Sequence, residues 1–210
     1  MEQRRYENKA AFYRIEMSKK NREIHKKSYM KQIKFTIIAF GLLCSSYTNA
    51  MQPTDSAKTS KPSSLNTTTV LNTDYGVVRI PGIWMKFNYE KESKQHFLKS
   101  EDGVIIGVAL TPMKLYPFYS SSKKKSEIVT DFFKWEYDYR VSAGFKCSKI
   151  KDNTTENYIV WKFTEKGIDN VFLYGAKSNL LSNFLVYTDK WDEQKKIDFL
   201  EKFYSLNNSK

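Results

Sequence analysis

The stretch "YIVWKFTEKGIDNVFLYGAKSNLLSNFLVYT", residues 158–188, decides the fold of this chain. It contains three runs rich in β-branched, aromatic and other apolar residues, which cover 158–164, 168–177 and 180–188. Lys166-Gly167 and Ser178-Asn179 separate these runs and are typical turn sequences. Runs of this length and spacing predict three consecutive strands joined as antiparallel hairpins.

Both faces of the predicted strands are apolar. In the first run, Ile159 and Trp161 alternate with Tyr158 and Val160, so each face carries large apolar side chains. The last run likewise divides into two apolar sets, which are Leu180, Phe184 and Val186 on one face and Leu181, Leu185 and Tyr187 on the other. A sheet of this kind must be covered on both faces.

Patterns outside this stretch predict five more strands. They cover 75–80, 84–89, 95–99, 104–110 and 145–151. Pro81-Gly82 and Asp102-Gly103 supply turn signals between them, and 111–125 is predicted to be a loop.

Two helices are predicted as well. The first covers 126–143, with Ser126 as its N-cap and Gly144 as its end. Its apolar side chains fall at helical spacing and are Ile128, Phe132, Trp135 and Tyr139. The second runs from Asp189 or Asp192 to Leu206. We therefore expect an α+β fold, an antiparallel sheet of about six or seven strands with helices packed on its faces.

Charge is distributed unevenly along the chain of 210 residues. Residues 1–34 contain eleven Lys or Arg against four Glu, which accounts for +7 of the formal net charge of +12. The part from Met51 onward is close to balanced, so it does not require a polyanionic partner, and we do not expect nucleic-acid binding.

Residues 30–50 have the layout of a secretory signal peptide. Lys31 and Lys34 flank an apolar core that starts at Phe35, and the segment ends in small and polar residues at Ala50. The apolar core is shorter than the roughly 20 residues that a membrane-spanning helix needs. We expect cleavage after Ala50 and a periplasmic or secreted protein, with an uncleaved anchor in the envelope membrane as the alternative.

Residues 1–29 precede this leader and are unusual for a signal peptide. Translation starting at Met30, rather than Met1 or Met17, would make 1–29 a mis-assigned extension. Alternatively they form a basic cytoplasmic tail on an uncleaved anchor. Residues 51–73 are rich in Ser, Thr, Pro and Lys and are predicted to be a flexible linker to a folded domain at 74–208.

The two cysteines, Cys44 and Cys147, are not expected to pair. Cys44 lies in the leader and could carry a lipid, although Leu43 is a poor residue to precede a lipidated cysteine. Apart from an uncleaved leader or such a lipid, no membrane contact is expected. Removal of the leader leaves Cys147 alone, as a small core residue, in a protein expected to be monomeric.

Few residues suggest catalysis or metal binding. His96 is the only histidine after the leader, and no second His or Cys stands at metal-binding spacing from it. Glu101 and Asp102 could bind a cation, but an Asp-Gly pair is more typical of a turn. A hydrolase using His96 with Cys147 or a serine is the remaining catalytic hypothesis. No metal or cofactor is expected.

One predicted loop suggests a binding surface. Aromatic residues are followed there by a basic run, in the set Tyr116, Phe118, Tyr119, Lys123, Lys124 and Lys125. Such a set could contact a protein partner or lipid headgroups. Alternatively the aromatic rings pack back over the sheet edge and the lysines are simply solvated.

Three features resemble the PsbP/DcrB-like family of small exported α/β/α sandwiches. They are Pro81-Gly82-x-Trp84, the Ser100-x-Asp102-Gly103 turn before the strand at 104–110, and a last helix bearing Phe199-Leu200 and Phe203-Tyr204. The resemblance covers about 74–206 and implies the sandwich fold and a mostly non-enzymatic role. It transfers no binding residue to this chain.

The function predicted from the sequence is therefore an exported, non-catalytic binding, accessory or chaperone-like protein with a protein partner. The hydrolase hypothesis is one alternative. An immunity-like protein that neutralises a delivered toxin is the other, and the sequence does not separate it from the first.

Overall fold

The computed structural model describes residues 67–208, which form nine strands and two helices. The strands are β1 (Thr68–Thr73), β2 (Gly76–Pro81), β3 (Met85–Glu90), β4 (Gln95–Lys99), β5 (Ile105–Pro112), β6 (Lys146–Asn153), β7 (Tyr158–Glu165), β8 (Ile168–Lys177) and β9 (Leu180–Tyr187). The helices are α1 (Lys125–Ser142) and α2 (Glu193–Asn208). The predictions for the leader, Ala50, Cys44 and residues 51–66 lie outside the described residues.

Seven strands form one antiparallel sheet in the order β3-β4-β5-β9-β8-β7-β6. β7, β8 and β9 are consecutive neighbours in it, which confirms the predicted hairpins. Lys166, Gly167 and Ser178 have positive φ angles of 51°, 80° and 52° in the connecting turns. These left-handed conformations produce the tight reversal that antiparallel hairpins require.

One helix covers each face of this sheet, as the two-sided apolar pattern predicts. α1 lies over β6, β7 and β8, and its Phe132 ring is 4.4 Å from the Tyr174 ring of β8. α2 lies on the opposite face, where Phe203 stacks on Phe184 of β9 at a centroid distance of 4.0 Å. The α+β class with helices on both faces is therefore confirmed.

The predicted linker boundary is wrong, because Thr68–Thr73 is a strand. β1 pairs with β2 in a separate two-stranded sheet that packs against α2. Leu71 of β1 is fully buried in the core. The threonines that suggested a polar linker are β-branched and suit a strand, and Thr69 Oγ1 also accepts a hydrogen bond from the Trp84 backbone N–H at 3.0 Å.

Two local predictions around α1 also need correction. Ser126 is not the N-cap, because α1 begins at Lys125 and the Lys124 backbone N–H donates to the Glu127 carboxylate at 2.7 Å. The predicted loop at 111–125 is partly regular, since β5 continues to Pro112 and a 3₁₀ turn follows at Met113–Leu115. Gly144, with φ +88°, follows the end of α1 as predicted.

Among residues 67–208, no helix combines the length and apolar character needed to cross a lipid bilayer.

Candidate functional site

The predicted aromatic loop packs against α1. Tyr116 stacks on Phe118 at 5.2 Å, and its ring lies 5.0 Å from Phe132 and 6.2 Å from Trp135. Burial raises the pKa of the Tyr116 hydroxyl well above its ordinary value. Tyr116 and Phe118, two of the three aromatic residues proposed for partner binding, therefore pack with α1 in the layer that covers one face of the sheet.

The three lysines of this loop also differ in their surroundings, since one contacts α1 and two are exposed to solvent. Lys123 Nζ lies 2.7 Å from Asp131 Oδ2 of α1 and donates to the Phe118 carbonyl at 3.0 Å, so it ties the loop to the helix. Lys124 and Lys125 are exposed, and the Tyr119 side chain is 39% exposed. Tyr119, Lys124 and Lys125 are therefore the most accessible members of the set, and Lys123 is committed to its ion pair with Asp131.

The structure does not bring His96 and Cys147 together. His96 lies on β4 and Cys147 on β6, and four strands of the sheet separate β4 from β6. Five steps at the usual spacing of neighbouring strands amount to about 24 Å. The two residues also face opposite sides, because His96 pairs with core residue Val108 on the α2 face and Cys147 with Phe163 on the α1 face.

The surroundings of the two side chains are those of packing residues. The His96 ring lies 4.5 Å from the Tyr89 ring, and burial lowers the pKa of His96. Cys147 is half-buried, with Sγ 3.6 Å from the Phe145 carbonyl, and burial raises the pKa of the thiol. A raised thiol pKa reduces the thiolate fraction, which opposes use of Cys147 as a nucleophile.

The Glu101-Asp102 pair lies in the turn that joins β4 to β5. Asp102 Oδ1 accepts a hydrogen bond from the Ser100 hydroxyl, and Gly103 N–H donates to the Ser100 carbonyl at 3.0 Å. Gly103 has a φ of +86°, as the predicted Asp-Gly turn requires. Within 67–208, no three His, Cys, Asp or Glu side chains gather closely enough to hold a metal ion.

The sequence patterns did not identify an apolar surface that the structure exposes at one edge of the sheet. We call it the edge surface, and it consists of Ile83, Met85 and Phe87 on or next to β3, where Met85 pairs with Lys99 and the Phe87 ring lies 5.7 Å from Lys99 Nζ. Tyr89 is exposed on the same strand but pairs with His96, on the other face of the sheet. The Ile83 side chain is 68% exposed and the Met85 side chain 58%. β3 is the outermost strand at one end of the sheet, which a sequence pattern cannot specify.

A second feature that the sequence did not reveal is a cleft of about 250 Å³. It lies between the β1–β2 hairpin, the β8–β9 turn and the last turn of α2. Its lining residues are distant in sequence and include Val78, Leu110, Ser182 and Asn208. No local signal could have predicted this site, because its walls come from separate elements.

Neither a protein-family model nor a curated protein matches this sequence.

Proposed function

We propose that this chain is an exported, non-catalytic protein-binding module. The observation that supports it is the edge surface: of the ten large apolar side chains exposed within 67–208, four lie on or next to the single edge strand β3. Scattered exposed apolar residues are ordinary, but a concentration of them in one place is typical of an interaction site. The signal-peptide pattern at residues 30–50 supports export.

The two ends of the sheet differ in a way that supports this assignment. β6, at the other end, carries Lys146, Lys149 and Lys151 as exposed residues, a common protection of an edge strand. β3 instead exposes Met85, Phe87 and Tyr89.

We assign partner binding to the side chains of β3 rather than to its backbone. The pairing of β3 with β4 is irregular between Lys86 and Asn88, which places a bulge at Phe87. A bulge interrupts the regular backbone spacing that an added strand would need. Apolar side chains beside polar neighbours such as Lys86 resemble the core and rim of a protein interface.

The other functions are less well supported. The separation of His96 from Cys147 removes the pair on which the cysteine hydrolase hypothesis depends. An immunity-like role would use the same kind of surface and remains a special case of the proposal. The PsbP-like assignment also remains a proposal, supported by one helix on each face of an antiparallel sheet.

Site-specific photo-crosslinking in the native cells tests this function. A photoreactive residue at Met85 is expected to give discrete covalent adducts with a protein partner, because the Met85 side chain is 58% exposed on the edge strand β3. The matched control carries the same residue at Lys149, on the opposite edge strand, and is expected to give none.

A double variant, Met85→Ser with Phe87→Ser, should abolish the adducts formed from a photoreactive residue at Ile83. Circular dichroism would verify that the variant is folded, which is expected because both side chains are exposed. Equal adduct patterns from positions 85 and 149 would contradict the proposal.

A further inference from the structure

We infer that the cleft between the β1–β2 hairpin, the β8–β9 turn and the end of α2 binds a small carboxylate with a short apolar body. This inference is independent of the edge surface and concerns a small molecule rather than a protein.

The size and floor of the cleft define the apolar part of the ligand. Its volume of about 250 Å³ lies below the roughly 300–1,000 Å³ of sites for drug-sized molecules. Four apolar side chains from the three strands β2, β5 and β9 line the cleft, and they are Val78, Leu110, Leu180 and Phe184. A short alkyl chain or a single ring would bury its surface there.

Polar groups line the same space. Ser182 is only 5% exposed, and its hydroxyl group stands among the lining residues. The Asn208 side chain also lines it, and its buried Nδ2 atom interacts with the Tyr204 side chain without reaching full hydrogen-bond geometry. A ligand oxygen in the cleft can accept a hydrogen bond from the Ser182 hydroxyl, and such a bond is stronger when the acceptor is charged.

The charge of the lining favours an anionic oxygen over a neutral one. Lys177 lines the cleft, and the described residues that line it include no Asp or Glu. Lys177 Nζ donates to the Asn207 carbonyl at the end of α2, which places positive charge beside Asn208. This charge offsets the negative end of the helix dipole, which would otherwise repel a carboxylate.

The walls of the cleft are held in place before any ligand binds. Asn207 Oδ1 accepts from the Arg79 backbone N–H at 2.8 Å, and Asn207 Nδ2 donates to the Arg79 carbonyl at 2.7 Å. These two bonds join the hairpin to α2. A preformed site loses little conformational entropy on binding, which favours a small ligand with few contacts.

Titration of the full chain with hexanoate and hexanamide tests the inference, with binding followed by isothermal calorimetry and by backbone amide shifts. Hexanoate is expected to bind at least tenfold more tightly than hexanamide and to shift the amides of Val78, Leu180 and Ser182. From butanoate to hexanoate, affinity should rise about fourfold for each added methylene, as burial of alkyl surface requires. It should then level off at octanoate, which is too long for the cleft.

Two variants test the polar contacts. Ser182→Ala should weaken hexanoate binding about tenfold, because it removes a hydrogen bond to a charged group. Lys177→Gln should remove the preference for hexanoate over hexanamide. The matched controls Ser148→Ala and Lys149→Gln, on β6, should leave both values unchanged.

Three results would overturn the inference. They are the absence of amide shifts at the cleft with every probe, equal binding of hexanoate and hexanamide, and an affinity that keeps rising beyond octanoate. The last result would indicate non-specific adsorption of alkyl chains. A Ser182→Ala variant that binds hexanoate like the unaltered chain would also contradict the assigned contact.

Discussion

Tyr204 of α2 lies directly over Gly175 of β8, and this contact fixes how the helix sits on the sheet. A Cβ atom at position 175 would overlap the Tyr204 ring, so glycine is required for space rather than for backbone freedom. The Tyr204 hydroxyl donates to the Glu156 carbonyl at 2.9 Å and accepts from the Ala176 N–H at 3.3 Å. Burial raises the pKa of Tyr204 to about 12, so the hydroxyl stays protonated at neutral pH.

Gly175→Ala is expected to reduce the free energy of unfolding by about 1–3 kcal/mol, because the added methyl group forces Tyr204 away from the sheet. Urea denaturation measures the effect. Combining Gly175→Ala with Tyr204→Leu should cost less than the sum of the two single changes, since the smaller side chain makes room for the methyl group. Strict additivity would show that the two residues do not compete for the same space.

Glu136 of α1 is the clearest source of pH-dependent stability among the described carboxylates. Burial raises the pKa of Glu136 above its ordinary value of 4.5, and Arg140, with Nε at 4.0 Å, only partly opposes this shift. A carboxyl group whose pKa is higher in the folded state than in the unfolded state stabilises the fold at pH values low enough for the group to be protonated in both states. That contribution is lost as pH rises from the unfolded-state pKa through the folded-state pKa.

Glu136→Gln should therefore raise the melting temperature relative to the unaltered chain at pH 7, and the difference should shrink toward pH 4. Differential scanning calorimetry across this range measures it. Glu101→Gln, at an exposed turn position, is the control and should show no such trend. A difference that is constant with pH would contradict a raised pKa for Glu136.

At the scale of elements, the β1–β2 hairpin depends on α2 for its position. A two-stranded sheet alone is only marginally stable in water, and this hairpin buries Leu71, Val78 and Ile80 in the core beneath α2. The Asn207 amide forms two hydrogen bonds with the backbone of Arg79 and acts there as a neighbouring strand would.

Asn207→Ala should destabilise the chain by about 1–3 kcal/mol, because it removes two hydrogen bonds between α2 and the backbone of β2. Hydrogen exchange of the Arg79 amide should accelerate more than exchange within β8, since the hairpin opens locally. Asn72→Ala, at an exposed position of β1, is the matched control. Equal exchange at Arg79 in both variants would show that packing alone holds the hairpin.

Strands and helices are predicted correctly where turn residues and side-chain alternation mark them clearly. They are missed where the same residue types are common in strands and in linkers. β8 was predicted with its observed limits because turn residues bound it on both sides. β1 was missed because threonine is common in linkers and in strands alike. For Tyr116 and Phe118 the sequence leaves two alternatives, partner contact or packing back onto the fold, because it does not show that Phe132 and Trp135 lie within reach of them.

At the scale of the whole molecule, the order of the strands decides which residues can act together. It places β3 and β6 at the two ends of the sheet, so His96 and Cys147 are far apart. The same order exposes the apolar side chains of β3 and brings α2 and the hairpin together around the cleft. Both proposed binding sites follow from this arrangement.

The sequence by itself determined the class of the fold, the hairpins between β7, β8 and β9, and the need for a helix on each face. These properties follow from side-chain alternation and turn conformation, which act between residues close in sequence. Only the tertiary structure decided which strands form the edges, which aromatic residues are covered and where a cleft remains. Those outcomes depend on pairings such as that of Val108 with Phe184, which the intervening chain does not encode locally.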